Sequence, residues 1–488
     1  MVINMNKKVR RACAVVAMLC VIATGVVMDK NMVLETFMSS RSTNEINNYK
    51  IEAEYDGKNK KILCKQTTKY INKTNGDLNK IYFHIYPNAF SKREFAPFEA
   101  GEMQLAYPNG FNEGYIDLKK VDGVNQKLEY DIKGDKNDLL EIKLEEKLKP
   151  NQGLDIEFKY NVKLPNSVGR FGYGDKTINI TNWFPIACVK DDRGWSIKSY
   201  EALGDPFYSD TSNFRVKFTA PSELKLANTG VVVGEKTKNG STKYDIEAKN
   251  VRDFALIMSS KFSIGRGETK GIKINTYNLN KNMDQKSTEI AEDSIKIYSD
   301  LFGKYPYDVF SVVSSDFYIG GMEYPMLVMI DQSLYTSKNK FLLEYVIAHE
   351  TAHQWWYSVV GNDEISEPWL DEALTEYSTV LYFENKYGKE VSDKLIETMI
   401  NESKDYSSEN IFKPSTEYKN SADYSINVYT KGAVAINEVR NKVGDKVFFE
   451  TMREYFEDNK FKNVNGRTFV DLWNNRGIDV DKIISECD

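Results

Sequence analysis

Three histidines occur among 488 residues, and two of them, His349 and His353, stand four apart in Val346-Ile347-Ala348-His349-Glu350-Thr351-Ala352-His353-Gln354-Trp355-Trp356. The run is apolar and suits a helix, on which positions i and i+4 share a face, so the two imidazoles can converge on one ion. Zinc takes imidazole nitrogens and carboxylate oxygens in a tetrahedron and, at a catalytic centre, keeps one position for water. The pair therefore calls for a third protein ligand, which the chain must bring back. A turn at Gly361-Asn362-Asp363 and then Pro368 predict a second helix returning past the first, because proline's fixed φ and missing donor suit a first helical turn. That helix carries Glu372, with eighteen residues between it and His353. Two hydrogen-bonded core histidines would explain the first helix alone; the returning glutamate favours a metal site.

Zinc in such a set acidifies a water and polarises a carbonyl. Glu350, beside the first ligand, is placed to take the proton of that water and return it to a departing amine, which is peptide-bond hydrolysis. The hydrated carbonyl needs a further donor opposite. Tyrosine suits the task, but with 30 tyrosines composition selects none. Glu376, one turn after Glu372, either orients a zinc histidine or lies on a solvated helix face.

A chain of this length should divide into more than one domain. The expected division is an N-terminal membrane segment at 1–30, a linker at 31–47, a β-sheet domain at 48–270 and a zinc peptidase domain at 271–488. Lys7, Lys8, Arg10 and Arg11 precede an uncharged run from Ala12 to Met28, which reads as a signal anchor or a cleaved signal. Either places the remainder outside the cytoplasm. Strand-like runs at Tyr49 to Tyr55, Lys61 to Tyr70, Lys80 to Tyr86, Leu139 to Leu144, Gly153 to Lys163 and Phe214 to Thr219 predict the all-β region. His84, within one of them, reads as a packed residue. Helical periods follow at Gln285 to Phe302, Val428 to Val443, Lys446 to Asn459 and Thr468 to Arg476. A net charge of −6 argues against nucleic acid as a partner. Cys64, Cys188 and Cys487 are too few and too scattered for a disulfide framework, though one bridge is open to them.

His349-Glu350-x-x-His353 with Glu372, preceded by Gly320-Gly321-Met322-Glu323 and followed by Tyr429-x-Lys431-Gly432, resembles peptidase family M1. Weaker similarity runs back through Tyr82 to Asn88 and Asn182 to Pro185. The resemblance implies a saddle-like N-terminal β domain and a thermolysin-like, mainly helical catalytic domain with one zinc. It implies that Glu323 binds the substrate's α-amine, within a substrate-binding segment Gly320, Gly321, Met322 and Glu323, and that Tyr429 stabilises the oxyanion. Two departures are present. Tyr324 stands where the family has asparagine, which is expected to alter the wall near the amine site. The sequence also ends at Asp488, short of the helical C-terminal domain of long members. The expected activity is that of a zinc aminopeptidase on peptides, anchored in the cell membrane. An endopeptidase or tripeptide-releasing enzyme with an uncapped cleft is the alternative. A catalytically silent binding module would not need the full set of His349, Glu350, His353, Glu372 and Tyr429. Oligomeric state is not legible.

Overall fold

The computed structural model describes residues 45–124, 126–404 and 411–485. The basic and apolar segment expected to reach a membrane lies outside them. Among the described residues no helix is long and apolar enough to cross a membrane. The N-terminal region is mostly β. Its largest sheet has seven strands in the order Val231–Lys238, Ser241–Val251, Ser212–Pro221, Asn48–Asp56, Lys61–Ile71, Gly153–Lys163 and Tyr115–Gly123. Asn48–Asp56 runs parallel to Ser212–Pro221, and the other pairs are antiparallel. Inward and outward residues alternate along Asn48–Asp56, as a sheet with one covered face requires. The expected hairpin is present: Asp56 Oδ1 accepts from the backbone N–H of Lys58 and Asn59 at 3.0 and 3.1 Å, closing the turn into Lys61–Ile71. The strand expected to reach Tyr86 ends at His84, because Pro87 lacks a ladder donor and the chain enters a 3-10 turn over Tyr86–Phe90.

A second sheet underlies the helical region, in the order Ser263–Thr269, Ile272–Asn278, Val309–Ser315, Leu327–Asp331 and Gly321–Met322. Residues on either side of position 270 thus pair with each other in one sheet. The central strands are parallel, while the short edge strand Gly321–Met322 is antiparallel. Helix Asp284–Phe302 packs on this sheet, and the Tyr298 hydroxyl donates to the Ala348 carbonyl of the next helix at 3.0 Å. That next helix, Lys340–Ala352, carries His349. The helix expected to return is Pro368–Tyr387, with proline in its first turn. Glu344 joins the two: its carboxylate accepts from the hydroxyls of Tyr382 and Tyr387 at 2.8 and 2.7 Å and pairs with Lys386 and Lys286.

Candidate metal centre

His349 lies in the last turn of Lys340–Ala352, and His353 is the residue that follows the helix, still with αR backbone angles. The pair is therefore not wholly helical as expected. The geometry persists because the His353 N–H still points to the His349 carbonyl, at 3.4 Å. Gln354 then ties the turn to the neighbouring sheet, accepting from Met326 N–H at 2.8 Å and donating to the Tyr324 carbonyl at 3.2 Å.

Glu372, in the second turn of the returning helix, places Oε2 at 3.4 Å from His349 Nε2 and 3.2 Å from His353 Nε2. The three donor atoms lie within 4.8 Å of one another. Ligand bonds of about 2.0–2.1 Å in a tetrahedron put neighbouring donors roughly 3.3–3.4 Å apart, so these separations suit one zinc ion. Glu372 Oε2 is buried without a hydrogen-bond partner, as a donor reserved for a cation would be. The remaining imidazole nitrogens are held from behind. His353 Nδ1 donates to Asp371 Oδ1 at 2.7 Å, with Thr375 Oγ1 and the Trp356 carbonyl at 3.1 and 3.2 Å. His349 Nδ1 lies 2.8 Å from Glu376 Oε2, and the Tyr345 hydroxyl donates to the other oxygen of Glu376. Carboxylates behind metal histidines fix ring orientation and raise basicity. Glu376 thus stands behind His349 rather than on a solvated face, and Asp371, adjacent to Glu372 in sequence, does the same for His353 without a sequence signal of its own.

In the chain alone, burial opposes charge on His349, yet the facing carboxylates of Glu372 and Glu376 outweigh it and raise the imidazole to about 10. Burial pushes Glu372 up, but both histidines hold it well below the usual carboxylate range. The constellation is built to receive positive charge. Glu350 is also buried, and burial lifts its carboxyl to about 7, against the pull of His349 and His353. Its carboxylate lies against the backbone of Gly321: a Cβ added there would sit 2.0 Å from Glu350 Oε1. Gly321 and Met322 form the edge strand, and Gly320 before them has φ +95, a left-handed conformation that favours glycine. Glu323 follows, 3% exposed, with Oε1 lacking any partner and an oxygen within 4.8 Å of donor atoms on His353 and Asp371. Tyr324 is fully buried, and its hydroxyl donates to Thr181 Oγ1 at 2.8 Å.

Tyr429 does not sit in an ordinary helix. The helix expected over Val428 to Val443 starts earlier, at Ser421, and passes through a π turn at Ile426–Lys431 before Gly432–Val443. Gly432 lets this segment press on the returning helix, since an added Cβ would be 2.5 Å from the Ala373 Cβ. The Tyr429 hydroxyl donates to Glu372 Oε1, and its ring stacks on His349 with centroids 5.8 Å apart. The π turn, a feature frequent at functional sites, aims it there. His84 is packed on Tyr86, ring centroids 4.6 Å apart, and belongs to neither set of metal-competent side chains among the described residues. Cys64 and Cys188 are buried and unpaired; the other cysteines lie outside the described residues.

Residues 286–486, which include all these side chains from His349 to Tyr429, match the family model described as the peptidase family M1 domain. This part of the chain is similar to the peptidase family M1 domain. Among curated relatives, a puromycin-sensitive aminopeptidase of Caenorhabditis elegans is 25% identical over 269 residues, covering 51% of this chain and 28% of its own length. An aminopeptidase N of Lactobacillus delbrueckii subsp. lactis is 24% identical over 302 residues, covering 57% and 34%. The chain thus spans about a third of the length of these two relatives. Over its whole fold it resembles an M1 zinc metallopeptidase from Deinococcus radiodurans, with TM-score 0.66, 14% identity and coverage of 91% of this chain and 93% of that one. A substituted form of that protein was solved with a Tyr-Ser-Ala substrate.

Proposed function

We propose that this protein is a zinc-dependent aminopeptidase that removes residues from the amino ends of peptides. The observation that carries the reading is the placement of Glu323. A buried carboxyl with an unpartnered oxygen adjoins the metal residues, directly after the edge strand that packs against Glu350. Such a group can hold an α-ammonium by charge-assisted hydrogen bonds and set the first peptide bond beside the metal. Similarity to aminopeptidases supports the same reading.

In this mechanism His349, His353 and Glu372 hold zinc, which supplies a Lewis acid for the scissile carbonyl and a more acidic water. Glu350 accepts the proton of the attacking water and returns it to the departing amine. Its carboxylate can stand where it does because Gly321 has no side chain. Tyr429, delivered by the π turn, shifts its hydroxyl from Glu372 to the oxyanion as charge develops there. Asp371 and Glu376 keep the imidazoles oriented and deprotonated at Nε2. Glu350→Gln should abolish turnover with zinc retained, while Glu372→Gln should lose zinc in elemental analysis. Equal zinc loss in both variants would contradict these roles.

A further inference from the structure

Glu323 stands between two residues that both end on the N-terminal β region. Arg170 Nε donates to Met322 Sδ at 3.0 Å, and the Tyr324 hydroxyl donates to Thr181 Oγ1 at 2.8 Å. Thr181 Oγ1 in turn donates to the Arg170 carbonyl at 2.9 Å, so the two anchors belong to one unit. Arg170 and Thr181 flank the antiparallel pair Gly172–Tyr173 and Ile178–Ile180. With the residues before and after it fixed to this hairpin, Glu323 has little freedom of its own. Its side chain meets the metal residues, with an oxygen within 4.8 Å of donor atoms on His353 and Asp371.

The same hairpin holds the approach to the edge strand. Asp316 Oδ2 accepts from the Lys176 and Thr177 N–H groups at 2.6 and 3.3 Å, and Asn179 Nδ2 donates to the Asp316 carbonyl at 3.2 Å. Gly174 lies against that carboxylate, since an added Cβ would be 2.6 Å from Asp316 Oδ2. Arg170 is the charged member of this clamp: buried, ion-paired with Asp205, and with Cζ 5.8 Å from the centroid of the Phe207 ring. A buried ion pair is weak evidence of stability and a thioether is a weak acceptor, so energy alone does not account for a guanidinium donor aimed at Met322. What a planar guanidinium locked by Asp205 supplies is direction.

We propose that Arg170 is a positioning residue: held by Asp205, it fixes Met322 and so sets the distance of Glu323 from the metal residues, and with it the placement of the substrate's first peptide bond. This rests on the aminopeptidase reading. A binding group works only when its supporting residues hold it to within about 0.5 Å of the productive geometry, and a misplacement of about 1 Å costs on the order of 10²-fold in rate. Arg170 acts through Glu323 and takes no part in the chemical step.

The test is a double-mutant cycle on the zinc-loaded enzyme with Leu-Ala-Ala as substrate. Arg170→Lys keeps a charge opposite Asp205 and loses the planar fork. It should lower kcat/KM about ten- to a hundredfold when Glu323 is present and about twofold or less in Glu323→Ala, with zinc content unchanged in both. A general loss of structure would act equally in the two backgrounds. Met322→Leu, close in volume, breaks the contact and leaves the ion pair; it should lower kcat/KM roughly two- to tenfold, again only when Glu323 is present. Equal losses in the two backgrounds, or full activity in Arg170→Lys or Met322→Leu, would overturn the proposal. Acetyl-Leu-Ala-Ala separates it from the aminopeptidase reading. Cleavage of that peptide by the unsubstituted enzyme as fast as the free one would remove the reading and the proposal with it, whereas a preference for the free peptide with equal losses in both backgrounds would remove the proposal alone.

Discussion

Gly321→Ala tests how Glu350 is placed. The new methyl would meet Glu350 Oε1 at 2.0 Å and Cδ at 2.3 Å. Favourable contacts of carbon lie near 3.5 Å, so the carboxylate or the edge strand must retreat by roughly 1 Å or more. Gly321 does not itself have the left-handed backbone that would strain alanine, so the effect is steric. A misplacement of about 1 Å at a reacting group costs on the order of 10²-fold, or about 2.7 kcal/mol of barrier. The expected result is kcat/KM reduced about a hundredfold, with zinc content unchanged because the three atoms nearest the new methyl all belong to Glu350. Steady-state hydrolysis of a free tripeptide, paired with elemental analysis, reads both quantities. Near-normal kcat/KM with full zinc would refute the inference that Glu350 works from its position against Gly321.

Tyr429→Phe should lower kcat by about 10²–10³ with a smaller change in KM, since a donor to the oxyanion acts in the transition state. Tyr424→Phe, whose ring centroid is 5.9 Å from that of Tyr429, is the control, and a dead Tyr424→Phe beside a normal Tyr429→Phe would reverse the assignment. Glu344 supplies a pH prediction. Burial raises its carboxyl, but hydrogen bonds from Lys386, Tyr387 and Tyr382 prevail and bring it from 4.5 to about 2. Its folded value lies below the unfolded one, so its stabilisation is present above about pH 4.5 and is lost as pH falls towards 2. That contribution is up to about 3 kcal/mol, and Glu344→Gln should lose it at pH 7 while differing little from the parent near pH 2. Unfolding curves whose separation does not narrow as pH falls would count against it.

The parts of this site that are legible in sequence are those set by local spacing. His349, His353 and Glu372 are brought together by helix periodicity and a proline-started return, and the strands by alternation of apolar residues. Glu376 was within reach of the same logic, because it follows Glu372 by one turn. The π turn under Tyr429 was not, since no local spacing marks it, and Gly432 beside it closes against Ala373 through a tertiary approach. Asp205 and Arg170 come from distant segments, and Arg170 reaches Met322 across 152 residues. Tyr324, expected to alter the wall near the amine site, is fully buried and sends its hydroxyl to Thr181.

The central claim is that hydrolysis begins at a free amino end gripped by Glu323. The most direct measurement is mass-spectrometric reading of cleavage in a peptide library presented with free and with acetylated N-termini. The expected result is stepwise loss of first residues from free peptides, little cleavage of acetylated ones, and loss of most of that preference in Glu323→Ala with zinc retained. Internal cleavage of acetylated peptides as fast as free ones, unchanged in Glu323→Ala, would contradict it and make the enzyme an endopeptidase.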